Sequence, residues 1–147
     1  VDRGKDAASL IASSNIEWLT VMAGTGKQVI HSACTTAHQF NMKVMLDLVD
    51  ASSVGQSAME AKNLGVDALL FHQAYDEKDA LILLDKWEMV RGNSNLPIFV
   101  SAKISRSTIA SILKIKPDGI ILGKNITDAD NPAEEAAYFY DLIKNES

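Results

Sequence analysis

Five short apolar runs rich in Val, Ile, Leu and Phe return along the chain, over residues 18–23, 43–49, 67–72, 97–102 and 118–122. Their starts lie 25, 24, 30 and 21 residues apart, the length needed for a strand, two loops and a crossover helix. Each run is almost continuously apolar and does not alternate with polar residues, as expected of parallel strands covered on both faces. This regularity predicts an α/β fold.

The segments between the runs carry a helical period. Residues 28–41 set Val29, Ala33 and Ala37 four apart, residues 53–63 bring Val54, Ala58 and Ala61 to one side, and residues 76–90 do the same with Ala80, Leu83, Leu84 and Trp87. Gly65 and Gly92 stand just past two of these segments as helix stops. Ser105 precedes another helix as its N-cap, and Asn131-Pro132 reads as an N-cap followed by proline at the first helical position. Two architectures fit this order: an open doubly wound sheet, and a closed barrel of eight strands and eight helices. Periodicity does not separate them. The 147 residues match a five-strand open sheet, whereas a barrel typically takes about 200 residues or more.

Composition narrows the function classes. A chain that is 47% hydrophobic and 22% charged is an ordinary folded domain, not a disordered, collagenous or coiled-coil one. With 19 acids against 14 bases and a net charge of -5, it has no long-range attraction to nucleic acid or an anionic membrane, so any anion it binds has to be met locally. The single cysteine, Cys34, cannot form an internal disulfide and sits in an apolar helical run, which fits a reducing compartment and a core residue in preference to a nucleophile. No apolar run reaches the length of a membrane span, and no signal-peptide pattern opens the chain. The expectation is a cytoplasmic protein with no nucleic-acid or membrane partner.

In either architecture ligands bind beyond the carboxyl ends of the parallel strands. Four such ends are polar. Asp47 sits inside the second apolar run, where a charge is costly unless paired. The third run ends in His72, with Asp76 close behind; the fourth ends in Ser101-Ala102-Lys103, and the fifth runs into Gly123-Lys124. An acid, an imidazole and two ammonium groups would meet at one mouth. Each residue also has a plainer role open to it. Asp47 reads as a loop cap, although Asp50 is the more natural cap, His72 as a hydrogen-bonded core histidine, and the lysines as solvated. Asp76 reads as an N-cap, and His31 and His38 as helix-face residues. The run Ala23-Gly24-Thr25-Gly26-Lys27 lacks the spacing of a phosphate loop, though the helix start it makes is suited to an anion. Neither a CxxC nor an HExxH spacing occurs, so zinc of those kinds is not expected.

Read together, several stretches resemble a known family. They are the strand Val44-Met45-Leu46-Asp47-Leu48-Val49, the stretch from Asn63 to His72, the His-x-x-x-Asp of His72 and Asp76, and Gly123-Lys124-Asn125-Ile126-Thr127 with Asn131-Pro132-Ala133-Glu134-Glu135-Ala136. They are similar, in order and in spacing, to 3-hexulose-6-phosphate synthase and its sister 3-keto-L-gulonate-6-phosphate decarboxylase, of the orotidine 5′-monophosphate decarboxylase suprafamily. The opening Val1-Asp2-Arg3-Gly4 resembles the tail of that family's Asp-x-Lys-x-x-Asp motif, with Asp2 as its last acid. The resemblance implies a (β/α)8 TIM barrel of which residues 1–147 are the C-terminal part of a single domain, about strands four to eight.

It also implies a chemistry. Family members bind a phosphorylated sugar and a Mg²⁺ ion that stabilises an enediolate, formed by deprotonating ribulose 5-phosphate or by losing CO₂ from a keto acid. By this resemblance His72 takes part in proton transfer, Asp47 orients the substrate or a lysine, and Asp2 reaches the active site across a homodimer interface. Ser101, Lys103, Gly123 and Lys124 fall at the phosphate positions, with Ser101-Ala102-Lys103 where the family has Ala-Gly-Gly. The Mg²⁺ ligands are expected in an N-terminal part absent from these residues. Asp47 and Tyr75 favour the synthase, a carbon-carbon lyase joining formaldehyde to ribulose 5-phosphate. Lys124 is nearer the decarboxylase, and a sugar-phosphate binding protein without turnover is the third reading.

Overall fold

The computed structural model describes residues 16–73 and 80–146. Five parallel strands alternate with helices: β1 (Trp18–Met22), α1 (Lys27–Gln39), β2 (Lys43–Asp47), α2 (Val54–Ala61), β3 (Ala68–His72), α3 (Ala80–Arg91), β4 (Ile98–Ser101), α4 (Ile109–Lys114), β5 (Gly119–Ile120), α5 (Lys124–Thr127) and α6 (Pro132–Glu146). The strands pair in the order β1-β2-β3-β4-β5, every pair parallel. This order decides between the two architectures. A doubly wound sheet reverses its strand order at a switch point, whereas a barrel never does. The chain is a run of five βα units of a (β/α)8 barrel.

Strand-to-strand crossovers of this kind are right-handed, so all the helices fall on one face of the sheet. That face holds the main core: Val44, Leu46, Leu69, Phe71, Ile98 and Val100 from the strands pack with Ile30, Cys34, Ala37, Ala58, Ala61, Trp87, Val90, Ile109, Ile112 and Phe139 from the helices. The opposite, barrel-inward face carries the alternate residues, with Met45, Ala68, Leu70 and Phe99 in a smaller cluster. Trp18 packs edge-on to Phe99 with ring centroids 6.2 Å apart. At β1 the inward residues are exposed, Trp18 and Met22 each at 37%, so this strand alternates where β2 after Lys43 and β3 before His72 are buried.

Most helix ends follow the sequence. Gly65, in the left-handed region at φ 91, closes the turn after α2: its N–H donates to the Lys62 carbonyl and that of Val66 to Ala61, burying Val66. Asn41, at φ 58, ends α1 in the same manner with Met42 bonded to Ala37, a stop that no glycine marks in the sequence. Ser53 caps α2 at the Gln56 N–H, and Asn131 caps α6 at the Glu134 N–H, one residue before Pro132. Ser105 differs from its expected role. Its carbonyl accepts from the N–H groups of Thr108 and Ile109, so it opens a turn and α4 begins only at Ile109. Of the residues expected to face inward from α3, Trp87 is buried against Phe71 at 5.7 Å between centroids. Asp76 and the side chains of Ala80, Leu83 and Leu84 lie outside the described residues.

Candidate functional site

The carboxyl ends of β2, β3 and β4 bring three polar residues to the inward face. Asp47 ends β2, His72 ends β3, and Ser101 ends β4 in register with His72. Asp47 is 6% exposed, the one buried charged side chain among the described residues. A carboxylate in that position is costly unless both oxygens find donors. Both do. The Val49 N–H donates to Oδ1 at 2.9 Å, and Nδ1 of His72 lies 3.0 Å from Oδ2.

This pairing fixes the imidazole. A carboxylate only accepts hydrogen bonds, so Nδ1 carries the proton and donates it to Asp47. Nε2 then carries the lone pair in the neutral ring and a second N–H in the charged one. Asp47 therefore selects the tautomer and holds the ring plane, the part an orienting carboxylate plays for a working histidine. Between the β2–α2 loop and α3 a cavity of about 460 Å³ opens beside His72, lined also by Leu48, Ser52, Gln73, Lys86 and Met89.

The four expected phosphate residues occupy two neighbouring loops. Ser101 is half-buried at the end of β4, and Lys103 stands exposed two residues on. Gly123 precedes α5 with open space where a side chain would be, and Lys124 is the exposed first residue of that helix. Asp2 and Tyr75 lie outside the described residues. At the β1–α1 turn the chain supplies its own anion. The Gly24 N–H donates to Asp50 Oδ1 at 2.9 Å, and a Cβ on Gly24 would stand 2.5 Å from the other oxygen. Asp50 thus caps the neighbouring turn, while Ser53 caps the helix that follows it.

Three polar networks were not visible in the sequence. Just ahead of β3, Asp67 Oδ2 accepts from the Val44 N–H at 2.7 Å and lies 2.8 Å from His38 Nε2. Just ahead of β5, Asp118 Oδ2 accepts from the Ile98 N–H at 2.8 Å and from Arg91 Nη2 at 2.9 Å. Burial pushes the Asp118 carboxyl up, but the Ile98 N–H and the Arg91 guanidinium outweigh it and hold the group below the usual carboxylate range. The signal that would have found them is positional: each acid stands directly before a strand. In the third network Arg106, in the β4–α4 loop, grips Glu135 on α6, Nη2 donating to Oε2 at 2.6 Å. His31 and His38 are on the face of α1 as expected. Cys34 is buried at 1% exposure, and burial pushes its thiol up to about 11.

The described residues do not fit a Mg²⁺ site. Among them no three His, Cys, Asp or Glu side chains come together around a point, and both oxygens of Asp47 are committed to Val49 and His72. No helix among them is long and apolar enough to cross a membrane.

Comparison with known proteins bears on the whole chain. The family model described as Orotidine 5′-phosphate decarboxylase / HUMPS family matches residues 4–139. A curated relative named 3-hexulose-6-phosphate synthase, from Staphylococcus haemolyticus (strain JCSC1435), is 27% identical over 145 residues, covering 95% of this chain and 69% of its own. Two solved structures are similar in fold. A crystal structure of KGPDC from Streptococcus mutans, solved as a ligand complex, superposes at a TM-score of 0.87 and 22% identity, over 98% of this chain and 69% of that one. That of 3-hexulose-6-phosphate synthase from Salmonella typhimurium superposes at 0.86 and 22% identity, over 99% and 70%.

Proposed function

Because the chain belongs to the Orotidine 5′-phosphate decarboxylase / HUMPS family, we propose that it works as a 3-hexulose-6-phosphate synthase-like carbon-carbon lyase, joining formaldehyde to ribulose 5-phosphate or cleaving the product. The observation that carries this reading is the 3.0 Å contact of His72 Nδ1 with Asp47 Oδ2 at the mouth of the strands. It leaves Nε2 free to move a proton. In the forward direction Nε2 takes one proton from C1, the hydroxymethyl carbon beside the carbonyl of ribulose 5-phosphate. The resulting enediolate carbon attacks formaldehyde and forms the new carbon-carbon bond, and the product alkoxide takes up a proton. Asp47 keeps the imidazole in the tautomer that accepts, and it stabilises the imidazolium that forms.

Substrate anchoring falls to the other two loops. In this reading Lys103 and Lys124 meet the phosphate as point charges, with Ser101 and the backbone of Gly123 beside them. Two chemically different ends of one substrate are thereby held by neighbouring strands, which sets the reacting carbon against His72. Asp2 is assigned to a homodimer interface, and the setting of the enzyme to the cytoplasm. The relative named 3-hexulose-6-phosphate synthase and the acid Asp47 support the synthase over a decarboxylase. The fold likeness to KGPDC and the basic Lys124 favour the alternative loss of CO₂ from 3-keto-L-gulonate 6-phosphate.

The test is an assay of the full-length protein for formaldehyde-dependent loss of ribulose 5-phosphate with Mg²⁺ supplied. Turnover is the expected result. Its absence, together with CO₂ release from the keto acid, would replace the synthase by the decarboxylase, and tight phosphosugar binding with neither reaction would leave a binding protein.

A further inference from the structure

Arg106 is placed where two candidate phosphate loops can be held to each other. Its guanidinium leaves the β4–α4 loop and meets Glu135, in the first turn of α6, through three hydrogen bonds: Nε to Oε1 at 3.2 Å, Nε to Oε2 at 3.0 Å and Nη2 to Oε2 at 2.6 Å. The same group lies over the Tyr138 ring, 4.2 Å from its centroid. A planar fork that is both doubly bonded and stacked holds one orientation, which a flexible ammonium does not. The pair also holds its charges: the Glu135 contact raises the Arg106 guanidinium, and the Arg106 contact lowers the Glu135 carboxyl.

Each end of the clamp is joined to a candidate phosphate loop. On the β4 side, the Thr108 hydroxyl donates to the Lys103 carbonyl at 2.9 Å, the Ser105 N–H donates back to Thr108 Oγ1 at 2.8 Å, and Ile104 is buried at 1% exposure. These bonds tie Lys103, Ser105 and Thr108 into one turn. On the β5 side, α6 packs on α5, whose first residue is Lys124 and whose preceding residue is Gly123. We infer that Arg106 is a positioning residue: through Glu135 it sets the separation between the Ser101–Lys103 loop and the Gly123–Lys124 loop, so that one phosphate group meets both together. The inference rests on the proposed sugar-phosphate reading. The pair is partly exposed, its side chains at 51% and 18%, so its loss lowers stability modestly and leaves the fold standing.

The experiment uses the full-length protein, wild type and the variants Arg106→Gln, Arg106→Lys and the exchanged pair Arg106→Glu with Glu135→Arg. Dissociation constants for ribulose 5-phosphate and for inorganic phosphate, KM, kcat and thermal unfolding are measured for each. Ordering one more side chain on binding predicts that Arg106→Gln raises KM and both dissociation constants roughly 5- to 10-fold, with kcat within about twofold and only a small fall in melting temperature. Arg106→Lys keeps the charge without the fork and falls between the two, and the exchanged pair recovers most of the loss. Wild-type dissociation constants in Arg106→Gln, or a fall in kcat at constant KM, would overturn the inference. Wild-type protein that binds inorganic phosphate but not ribulose 5-phosphate would overturn the substrate reading while the phosphate constants still decide the clamp. Binding of neither would overturn both.

Discussion

The two ends of the sheet place carboxylates in opposite service. At the amino end, Asp67 and Asp118 each stand just before a strand, accept a backbone N–H from the preceding strand in the sheet (Val44 and Ile98) and meet a basic side chain near the end of an earlier helix (His38 and Arg91). Both partners of each acid belong to the scaffold. At the carboxyl end, Asp47 also accepts a backbone N–H, from Val49, but its second partner is His72, the residue to which the proposed reading gives the proton transfer. In that reading the same side chain is a fastener where its partners are fixed and an orienting group where its partner works. In a barrel this division is expected, since the amino face carries stability and the carboxyl face carries chemistry.

The comparison breaks first at His72. Replacing it by Asn should lower kcat by roughly 10²- to 10⁴-fold, the usual share of a general acid-base group, with little change in melting temperature. A comparable loss of stability would put His72 with the fasteners. Asp118→Ala should do the reverse: it strands the Ile98 N–H, which costs about 1–3 kcal/mol, or several degrees in melting temperature, and leaves kcat nearly unchanged. Asp67→Ala should behave alike through Val44, and a catalytic defect in either would blur the two ends.

Acid sharpens the contrast. Because the Asp118 carboxyl is depressed in the folded chain, it contributes stability above the ordinary aspartate value of about 3.9, and that contribution disappears as pH falls through the folded value. Wild type should therefore hold its advantage over Asp118→Asn in thermal scans down to about pH 3.9 and lose it as pH falls further. A constant gap would mean that the carboxylate is not what holds Ile98. The smallest effect concerns the core between the two ends. With its thiol buried and pushed up to about 11, Cys34 should resist alkylation at pH 8 until denaturant is added. Rapid labelling of the native protein would show that α1 opens from the sheet.

Strands and covering helices were legible because burial on a parallel sheet imposes continuous apolar runs at regular spacing. The choice of a barrel was not legible from that pattern, since strand order leaves no periodic trace; it came from the resemblance of several stretches to a known family, and the observed strand order bears it out. Asp47 and His72 could be named singly because they are polar residues where apolar ones were expected. Their contact across 25 positions of chain depends on the register of β2 against β3, which no local signal carries. Arg106 and Glu135 were invisible for a different reason. Each sits in a polar stretch where a charge is ordinary, and only the packing of α6 over the β4–α4 loop joins them. Asn41 ended a helix without the glycine that usually marks the place, because asparagine tolerates the left-handed region.

The central claim, that His72 moves a proton while Asp47 aims it, has a direct measurement that needs no carbon-carbon bond formation. Full-length protein is incubated with ribulose 5-phosphate in D₂O without formaldehyde, and proton NMR follows exchange of a C1 hydrogen of the hydroxymethyl group beside the carbonyl. The account predicts exchange of that hydrogen by wild type, a much slower exchange by Asp47→Asn, and none above background by His72→Asn. Exchange at the wild-type rate in His72→Asn would contradict it.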